Sequence, residues 1–600
     1  MNILGFTDWI GSHDTAAAIV RDGELVAAAE EERFSRRKHD GAIPVRAIEF
    51  CLRQAGLRMA DVDLVVFPGR PFRTGRDSEM ADVSWEFLRG LRRAGAIRRR
   101  AYVHKALLSA YVRLPIRSPL DERMRSTFKE GFDQVREHFG GLPPIRFYDH
   151  HQSHAAAAFL TSGLTRAAVA TIDGRGGSYA TVTWRAEGAR IKRLRAESWL
   201  NSLGIFYELC SVHLGLGEFG QGKLMGLAPY GDAARIAARM SAVLDTASAP
   251  WYRIHHRSFE TAFGFPQRAR ESILNPPYTD FAAAVQRALE TSVRRVVDSA
   301  RRDTGIDDVC LGGGVSLNCS SNGALYAGGA ARSLSLFPAA GDNGLPVGAA
   351  LMAALEAGEY SPQRFTHAYF GPSFTDAECE AALSRADAGG FSVRRATDRS
   401  IETAKLLAAG KVVGWFQGRM ELGPRALGNR SILADPRSIA VRDRVNRIKG
   451  RELWRPLAPS VLAERAGAFF ELMGDSPFML LAVPVRPEKR PLVPAITHVD
   501  GSARPQTVTR EQNRHYHDLI AAFERETGVP LVLNTSFNDA SEPIVCTPDD
   551  AVRTFLATDL DALVLGSYVA VKRTGDVVRG AAHDRRVEVA ESAHHGGSAE

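Results

Sequence analysis

Two histidines four residues apart, His150 and His154, open the alanine-rich run DHHQSHAAAAF. On an α-helix that spacing puts both imidazoles on one face, a turn apart, which suits two ligands of one metal ion. His151 falls elsewhere on such a helix, although a His151–His154 pair is also within geometric reach. Two carboxylates could complete the site: Asp173, at the end of an apolar run before GRGGS, and Asp342 in FPAAGDNGLPVGAA, just ahead of a helix start. Two imidazoles and two carboxylates with open positions suit Fe(II), Mn(II) or Zn(II) and make a thiolate-preferring metal a poor fit.

Phosphate chemistry has its own signals. In VCLGGGVSLNCSSN a strand runs into three glycines, so that backbone N–H groups at Gly313 and Gly314 could approach phosphate oxygens closely, with Asn318 following. The Gly-Lys-Ser/Thr ending of a P-loop is missing. Only ten of the 76 Lys+Arg are lysines, so a lysine in a glycine-punctuated string stands out. Lys223 in GQGKLMGLAPYGD is placed to reach a phosphate as a point charge. His13, in the loop after the first apolar run, has the residue type of a general base for an alcohol. Residues 30–40, EEERFSRRKHD, crowd carboxylates and cations around Phe34, which marks one packed side.

A second anion site is written in four strings between 418 and 551, GRMELGPRALGNRSILADPR, KGRELWRPLAPS, DGSARPQTV and LNTSFNDASEPIVCTPDDA. Lys449 with Arg425, Arg455 and Arg504 could cradle a dianion through point-charge and forked contacts, while Asn534 and Ser536 orient a small planar group.

These groups need elements to hold them. NILGFT, TAAAIV and LVAAAEEE, separated by a loop and an RDGE turn, predict a β-meander. The same grammar returns at 167–197, with Asp8 and Asp173 in equivalent places. A duplicated strand–Asp–loop–strand unit resembles the actin-like ATPase and sugar-kinase layout, an analogy of fold that carries no function. Two prolines and two glycines in 356–374 predict a linker after the helical run at 345–357, giving domains at 1–360 and 366–573. The polar, aperiodic 574–600 reads as a disordered tail. The basic helical segment 84–116 reads as a solvated face, with an acceptor lid or a homodimer contact as the alternatives.

A charge of +7 over 600 residues is too mild for a nucleic-acid partner. The six cysteines never form CxxC, and no stretch of about 18 apolar residues or signal-peptide pattern appears, so a cytoplasmic protein without a membrane partner is expected.

SHDTAAAIV, EERFSRRKHD, HHQSHAA, GKLMGLAPYG, GGGVSLN, GRMELGPRALGNRSILADPR, WRPLAPS and LNTSFN follow one another in the order of the nodulation and cephamycin O-carbamoyltransferase family, which the chain resembles over about residues 2–573. The resemblance implies an α/β fold of two domains, a TsaD-like domain of the actin-like ATPase class and then a YrdC-like twisted α/β domain. It implies an enzyme that frees carbamate from carbamoyl phosphate and makes carbamoyl-adenylate with ATP and Mg in the second domain. The first domain would then pass the carbamoyl group to an alcohol of a small-molecule natural product, at a site holding Fe(II). By motif, His150, His154, Asp173 and Asp342 fall on the metal positions, His13 on the base and Lys38 on a substrate-contacting lysine. Lys449, Arg455, Arg504 and Ser536 fall on the carbamoyl-phosphate pocket. The chain departs from the family pattern at Gly177, where an acidic residue is usual. A tRNA threonylcarbamoyl-type enzyme and a non-catalytic relic of the fold are the competing readings.

Overall fold

Alternation of apolar residues sets the first layer of the computed structural model, which describes residues 1–7, 13–69, 119–248, 250–256, 258–263, 273–386 and 390–573. Asp8, the 84–116 segment and the 574–600 tail lie outside the described residues. Strands β1 (Asn2–Phe6), β2 (Ala16–Arg21) and β3 (Glu24–Glu30) form the expected antiparallel meander, and β1 runs parallel to β4 (Leu64–Phe67), itself parallel to β5 (Ile145–Phe147). Asp22 and Gly23 close the β2–β3 hairpin with φ of 50° and 78°, the left-handed pair that matches strand twist.

The plan then repeats. Strands β6 (Arg166–Gly176), β7 (Tyr179–Glu187) and β8 (Arg190–Ser198) form a second meander; β6 is parallel to β9 (Asp308–Gly312), and β9 to β10 (Ser333–Leu336). The sheet orders, β3-β2-β1-β4-β5 and β8-β7-β6-β9-β10, have the same topology. Strand β6 runs on past Asp173 to Gly176, which pairs with Tyr179 across a turn of Gly177 and Ser178. Gly177 has φ 60°, so a residue without Cβ suits the place where the family pattern carries an acid.

Two helices lie between the sheets. Leu345–Glu356 packs on β1, β2 and β4, His150–Leu160 packs on β6, β7 and β9, and the two pack on each other. Their buried faces are alanine-rich, including Ala155, Ala158, Ala350 and Ala354. A Cβ on Gly348 would stand 2.0 Å from the Ser153 carbonyl oxygen, so the close approach requires glycine there. This contact brings the start of the histidine helix beside the Asp342–Gly344 turn that precedes its partner.

The C-terminal part is built on an eight-stranded sheet. Its strands follow in the order Phe391–Arg395, Tyr568–Lys572, Ala562–Leu565, Val413–Phe416, Arg430–Ala434, Leu531–Ser536, Ala458–Leu462 and Gln506–Val508. Trp415, Tyr516, Phe523 and Phe555 fill its core. The architecture is mixed α/β. Between the helix ending at Glu356 and the one beginning at Asp376, the chain bridges to both parts: Ser162 pairs with Arg364, Tyr369 with Glu421, and Ala28 N–H donates to Phe370 O. All six cysteines are buried and unpaired, and among the described residues no helix is long and apolar enough to cross a membrane.

One buried carboxylate joins the parts. Glu30, at the end of β3, accepts from Gly423 N at 2.7 Å and Asn343 Nδ2 at 3.0 Å and pairs with Arg33, whose guanidinium donates to Gly423 O at 2.9 Å. Glu30 and Arg33 are both buried. Gly423 has φ 105°, and a Cβ there would stand 2.7 Å from Pro338 O. Removing one member of such a pair strands the other, at a cost of about 3–5 kcal/mol. Glu30→Ala is therefore expected to lower the thermal midpoint sharply, with Glu30→Gln, which keeps an acceptor for Gly423 and Asn343, falling between. Unchanged midpoints in calorimetry for both variants would contradict this role for the junction.

Candidate active site

The histidine helix starts on an Asp149 cap whose side chain accepts from Gln152 N. One turn apart on that helix, His150 Nε2 and His154 Nε2 stand 3.1 Å from each other and 3.1 and 2.9 Å from Asp173 Oδ2. Asp342 Oδ1 lies 3.6 and 3.5 Å from the same two nitrogens. All four ligand atoms fall within 4.8 Å of one another. Asp173 is aimed by its other oxygen, which accepts from Gly174 N at 2.7 Å and Gly314 N at 3.1 Å. Burial works to raise the Asp173 carboxyl, but the hydrogen bonds to His150 and His154 outweigh it and hold the group well below the carboxylate range. Burial likewise opposes charging of His154, and its bonds to Asp173 and Asp342 reverse that. Convergence of two imidazoles and two carboxylates fits a divalent metal by donor chemistry. The alternative His151–His154 pair is not formed: His151 contacts Thr171 Oγ1 and Tyr179 O, each at 3.0 Å.

Several phosphate expectations find other partners. Gly314 spends its N–H on Asp173, and Gly313, with φ 86°, lies against strand β6, where a Cβ would stand 2.4 Å from Ile172 O. Asn318 caps the helix Cys319–Ala327 through Ser321 N and exchanges hydrogen bonds with Gln286. Lys223 Nζ pairs with Glu452 Oε1 at 3.1 Å, reaching across to the C-terminal part.

His13 belongs to an arrangement that spacing alone hides. Asp14 holds His13 Nδ1 at 2.7 Å through one oxygen and His39 Nδ1 at 2.9 Å through the other. His39 has φ 53° and stacks on Phe219 with centroids 3.8 Å apart and planes at 7°. Burial would raise the Asp14 carboxyl, yet the two imidazoles outweigh it and keep it ionised. Asp–His pairing through Nδ1 turns Nε2 away, the orientation a general base needs.

The second cluster is a set of cations short of anions. Lys449, only 4% exposed, follows the helix Ile439–Ile448 and reaches Ser536 O and Oγ and Asn538 O and Oδ1, four oxygens and no carboxylate. Burial, reinforced by Arg451, Lys38 and Arg455, pulls the Lys449 ammonium well below the usual lysine range. Burial followed by the charges of Arg455 and Arg504 does the same to Arg451, and burial followed by Arg504 does so to Arg425. Arg425 Nε and Arg451 Nε are buried without a partner. Lys38 crosses from the N-terminal part to donate to Ala540 O at 2.6 Å. Asn534, expected at a ligand, turns into the core instead, its Nδ2 bonded to Ser460 Oγ at 2.9 Å and near Ala426 O and Gln506 Oε1. Arg451, Asn538, Asp14 and Glu452 were not singled out by the sequence reading. Their signal was proximity: Arg451 and Asn538 each stand two residues beyond Lys449 and Ser536.

A dianion entering this cluster restores the Lys449 proton affinity that burial and like charges remove. Binding of carbamoyl phosphate or inorganic phosphate should thus take up a proton and weaken as pH rises from the free toward the bound lysine pKa. Calorimetry in buffers of different ionisation enthalpy should show that uptake, and Lys449→Met should abolish it; equal heats in all buffers would refute the linkage. At the histidine cluster, His154→Ala should lose bound divalent metal by elemental analysis while His151→Gln retains it.

Comparison with known proteins gives two family matches, Carbamoyltransferase N-terminus over residues 2–351 and Carbamoyltransferase C-terminus over 404–572. An uncharacterized protein of Synechocystis is 38% identical, over 95% of this chain and 97% of that protein. Nodulation protein NolNO of Sinorhizobium fredii is 40% identical, over 94% of this chain and 79% of its own length. Among solved structures, HypF of T. kodakarensis aligns with 60% of this chain and 48% of its own at 13% identity and a TM-score of 0.30.

Proposed function

The chain belongs to the carbamoyltransferase family, and from that premise we propose that it makes carbamoyl-adenylate in its C-terminal part and transfers the carbamoyl group to a small-molecule alcohol in its N-terminal part. The observation that carries this reading is the cluster of Lys449, Arg451, Arg455, Arg504 and Arg425, five cations on which the carboxylates acting are Glu452, itself shared with Lys223, and Asp539. Buried cations without anions are costly unless a ligand supplies the countercharge. Carbamoyl phosphate is such a ligand: a dianionic phosphate for the guanidinium forks and a planar amide beside the Ser536 hydroxyl.

The chemistry balances in three steps. Water attacks the carbamoyl carbon of carbamoyl phosphate, releasing phosphate and leaving carbamate. A carbamate oxygen then bonds to the ATP α-phosphorus as the bond to the β-phosphate oxygen breaks, and its electron pair departs with pyrophosphate. Finally the acceptor oxygen attacks the carbamoyl carbon, AMP leaves, and the acceptor proton passes to His13 Nε2. Asp14 keeps the His13 ring in the tautomer that accepts at Nε2 and stabilises it once charged. His150, His154, Asp173 and Asp342 would hold a divalent cation, which when bound supplies positive charge for oxygen developing negative charge.

Separated sites imply separable losses. His150→Ala or Asp342→Ala should abolish carbamoylated product, while carbamoyl-phosphate-dependent pyrophosphate release persists at a measurable rate. Equal loss of both would contradict the division between the parts. His13→Asn, given pre-formed carbamoyl-adenylate and acceptor, should transfer about 10²–10⁴-fold more slowly. Transfer at the parental rate from supplied adenylate would remove His13 from the chemistry.

A further inference from the structure

The 31–40 segment brings a second imidazole to the proposed base. Asp14 meets two ring nitrogens through separate oxygens, Oδ2 facing His13 Nδ1 at 2.7 Å and Oδ1 facing His39 Nδ1 at 2.9 Å. An ionised carboxylate only accepts, so both imidazoles present Nδ1–H to it. The two rings stand edge to face, with centroids 5.9 Å apart and planes at 89°.

His39 is held in three ways. Its φ of 53° lies in the left-handed region, which a residue with a Cβ keeps only where its surroundings fix it. Its backbone N–H donates to Glu32 Oε2 at 2.9 Å. Its ring lies flat on Phe219, with centroids 3.8 Å apart and planes at 7°, and Phe219 also meets His13 at right angles, with centroids 5.3 Å apart. Phe219 is 48% exposed, so this stack serves the two imidazoles rather than a core.

We propose that His39, clamped by Phe219, is a positioning residue of the transfer step: it fixes the second oxygen of Asp14, so that Asp14 aims His13 Nε2 at the acceptor hydroxyl without keeping His13 protonated. A carboxylate given wholly to one imidazole orients the ring but also stabilises its charged form, and a charged imidazole cannot take a proton. Sharing the carboxylate with a second donor retains the orientation and lessens that stabilisation. The assignment rests on the reading of His13 as the transfer base, and it adds what keeps that base ready. The charged groups on the elements around the two rings, Glu32, Lys38 and Asp40 on the 31–40 segment and Glu218 beside Phe219, stay the same when the His39 ring alone is changed.

His39→Asn and His39→Gly in the full-length protein test this. Both residues suit a left-handed backbone and both remove the stack, but only asparagine keeps an N–H donor near the Nδ1 position. With histidine labelled with carbon-13 at Cε1, and the His13 signal identified by its loss in His13→Asn, NMR titration should place the His13 midpoint about one pH unit higher in His39→Gly than in the parent, and closer to the parent in His39→Asn. Transfer from supplied carbamoyl-adenylate should follow the same order: about tenfold slower near neutral pH in His39→Gly, with its acid limb moved to higher pH, and His39→Asn in between. Phe219→Ala reads the clamp with position 39 intact, and should raise the His13 midpoint by a smaller step. An unmoved His13 titration in both His39→Gly and Phe219→Ala overturns the proposal. So does equal loss of transfer in His39→Asn and His39→Gly, the result expected if His39 were itself the base. A parent protein that shows the titration difference but transfers nothing from supplied adenylate would leave the hold of His39 on Asp14 standing and overturn the reaction proposed above.

Discussion

A single buried carboxylate, Glu30, sets the relation between the parts of this molecule. It answers three groups from three places: Arg33 one helical turn onward, Asn343 beside Asp342, and Gly423 in the C-terminal GPRALGNR loop. Burying a carboxylate and a guanidinium together costs solvation of both, so the pair persists only where hydrogen bonds satisfy the remaining atoms. That requirement is geometric. It fixes the turn bearing Asp342, the start of the 31–39 segment and the C-terminal loop at once. The 31–39 segment then carries Arg36 to Glu542 and Asp550, with further bonds to Pro543 O and Ile544 O.

The two candidate sites obey opposite electrostatic rules. Around Asp173 and His154 the charges are complementary, and each group's shift favours its charged form. Around Lys449 the charges repel, and each shift works against the charged form. In the first arrangement a cation would have to displace the proton that these carboxylates favour on the histidines, since a ligating imidazole is neutral. The second stores unfavourable energy that an anion relieves, which is how binding energy becomes available for orienting a small substrate. Lys223 pairs with Glu452, which also stands 3.9 Å from Arg455, so this carboxylate is shared between the cation cluster and the other part of the chain.

Much of this was legible in the sequence where periodicity or spacing is short-range. Both meanders follow from alternation with glycine turns, and the histidine pair follows from a four-residue interval on an alanine-rich helix. The family strings carried the carbamoyltransferase assignment. What sequence could not show depends on contacts between distant elements. Asp14 draws its meaning from His39, 25 residues away, and Glu30 from a glycine 393 residues away. Asn534 Nδ2 has its partners Ser460 and Gln506 on neighbouring strands of the eight-stranded sheet, contacts that its own string does not announce. Gly314 likewise donates its backbone N–H to the Asp173 carboxylate, a partner 141 residues away in the chain.

The adjacent residues Lys38 and His39 give the two sites a physical connection. Lys38 donates to Ala540 O, in the loop that follows the Ser536 and Asn538 oxygens around Lys449, while His39 bonds to the Asp14 that holds His13. One peptide unit therefore spans from the surroundings of the cation cluster to the surroundings of the proposed base. An unstable acyl intermediate survives transfer only if water is kept out and the distance is short. The segment is held by Glu30 at one end and stacked on Phe219 through His39 at the other, which on the proposed reaction would keep the two surroundings in a fixed relation. On the proposed reaction, fidelity of transfer then depends less on how tightly either site binds than on whether this segment keeps its place, because each site contributes one residue of the pair and neither can shift without displacing the other.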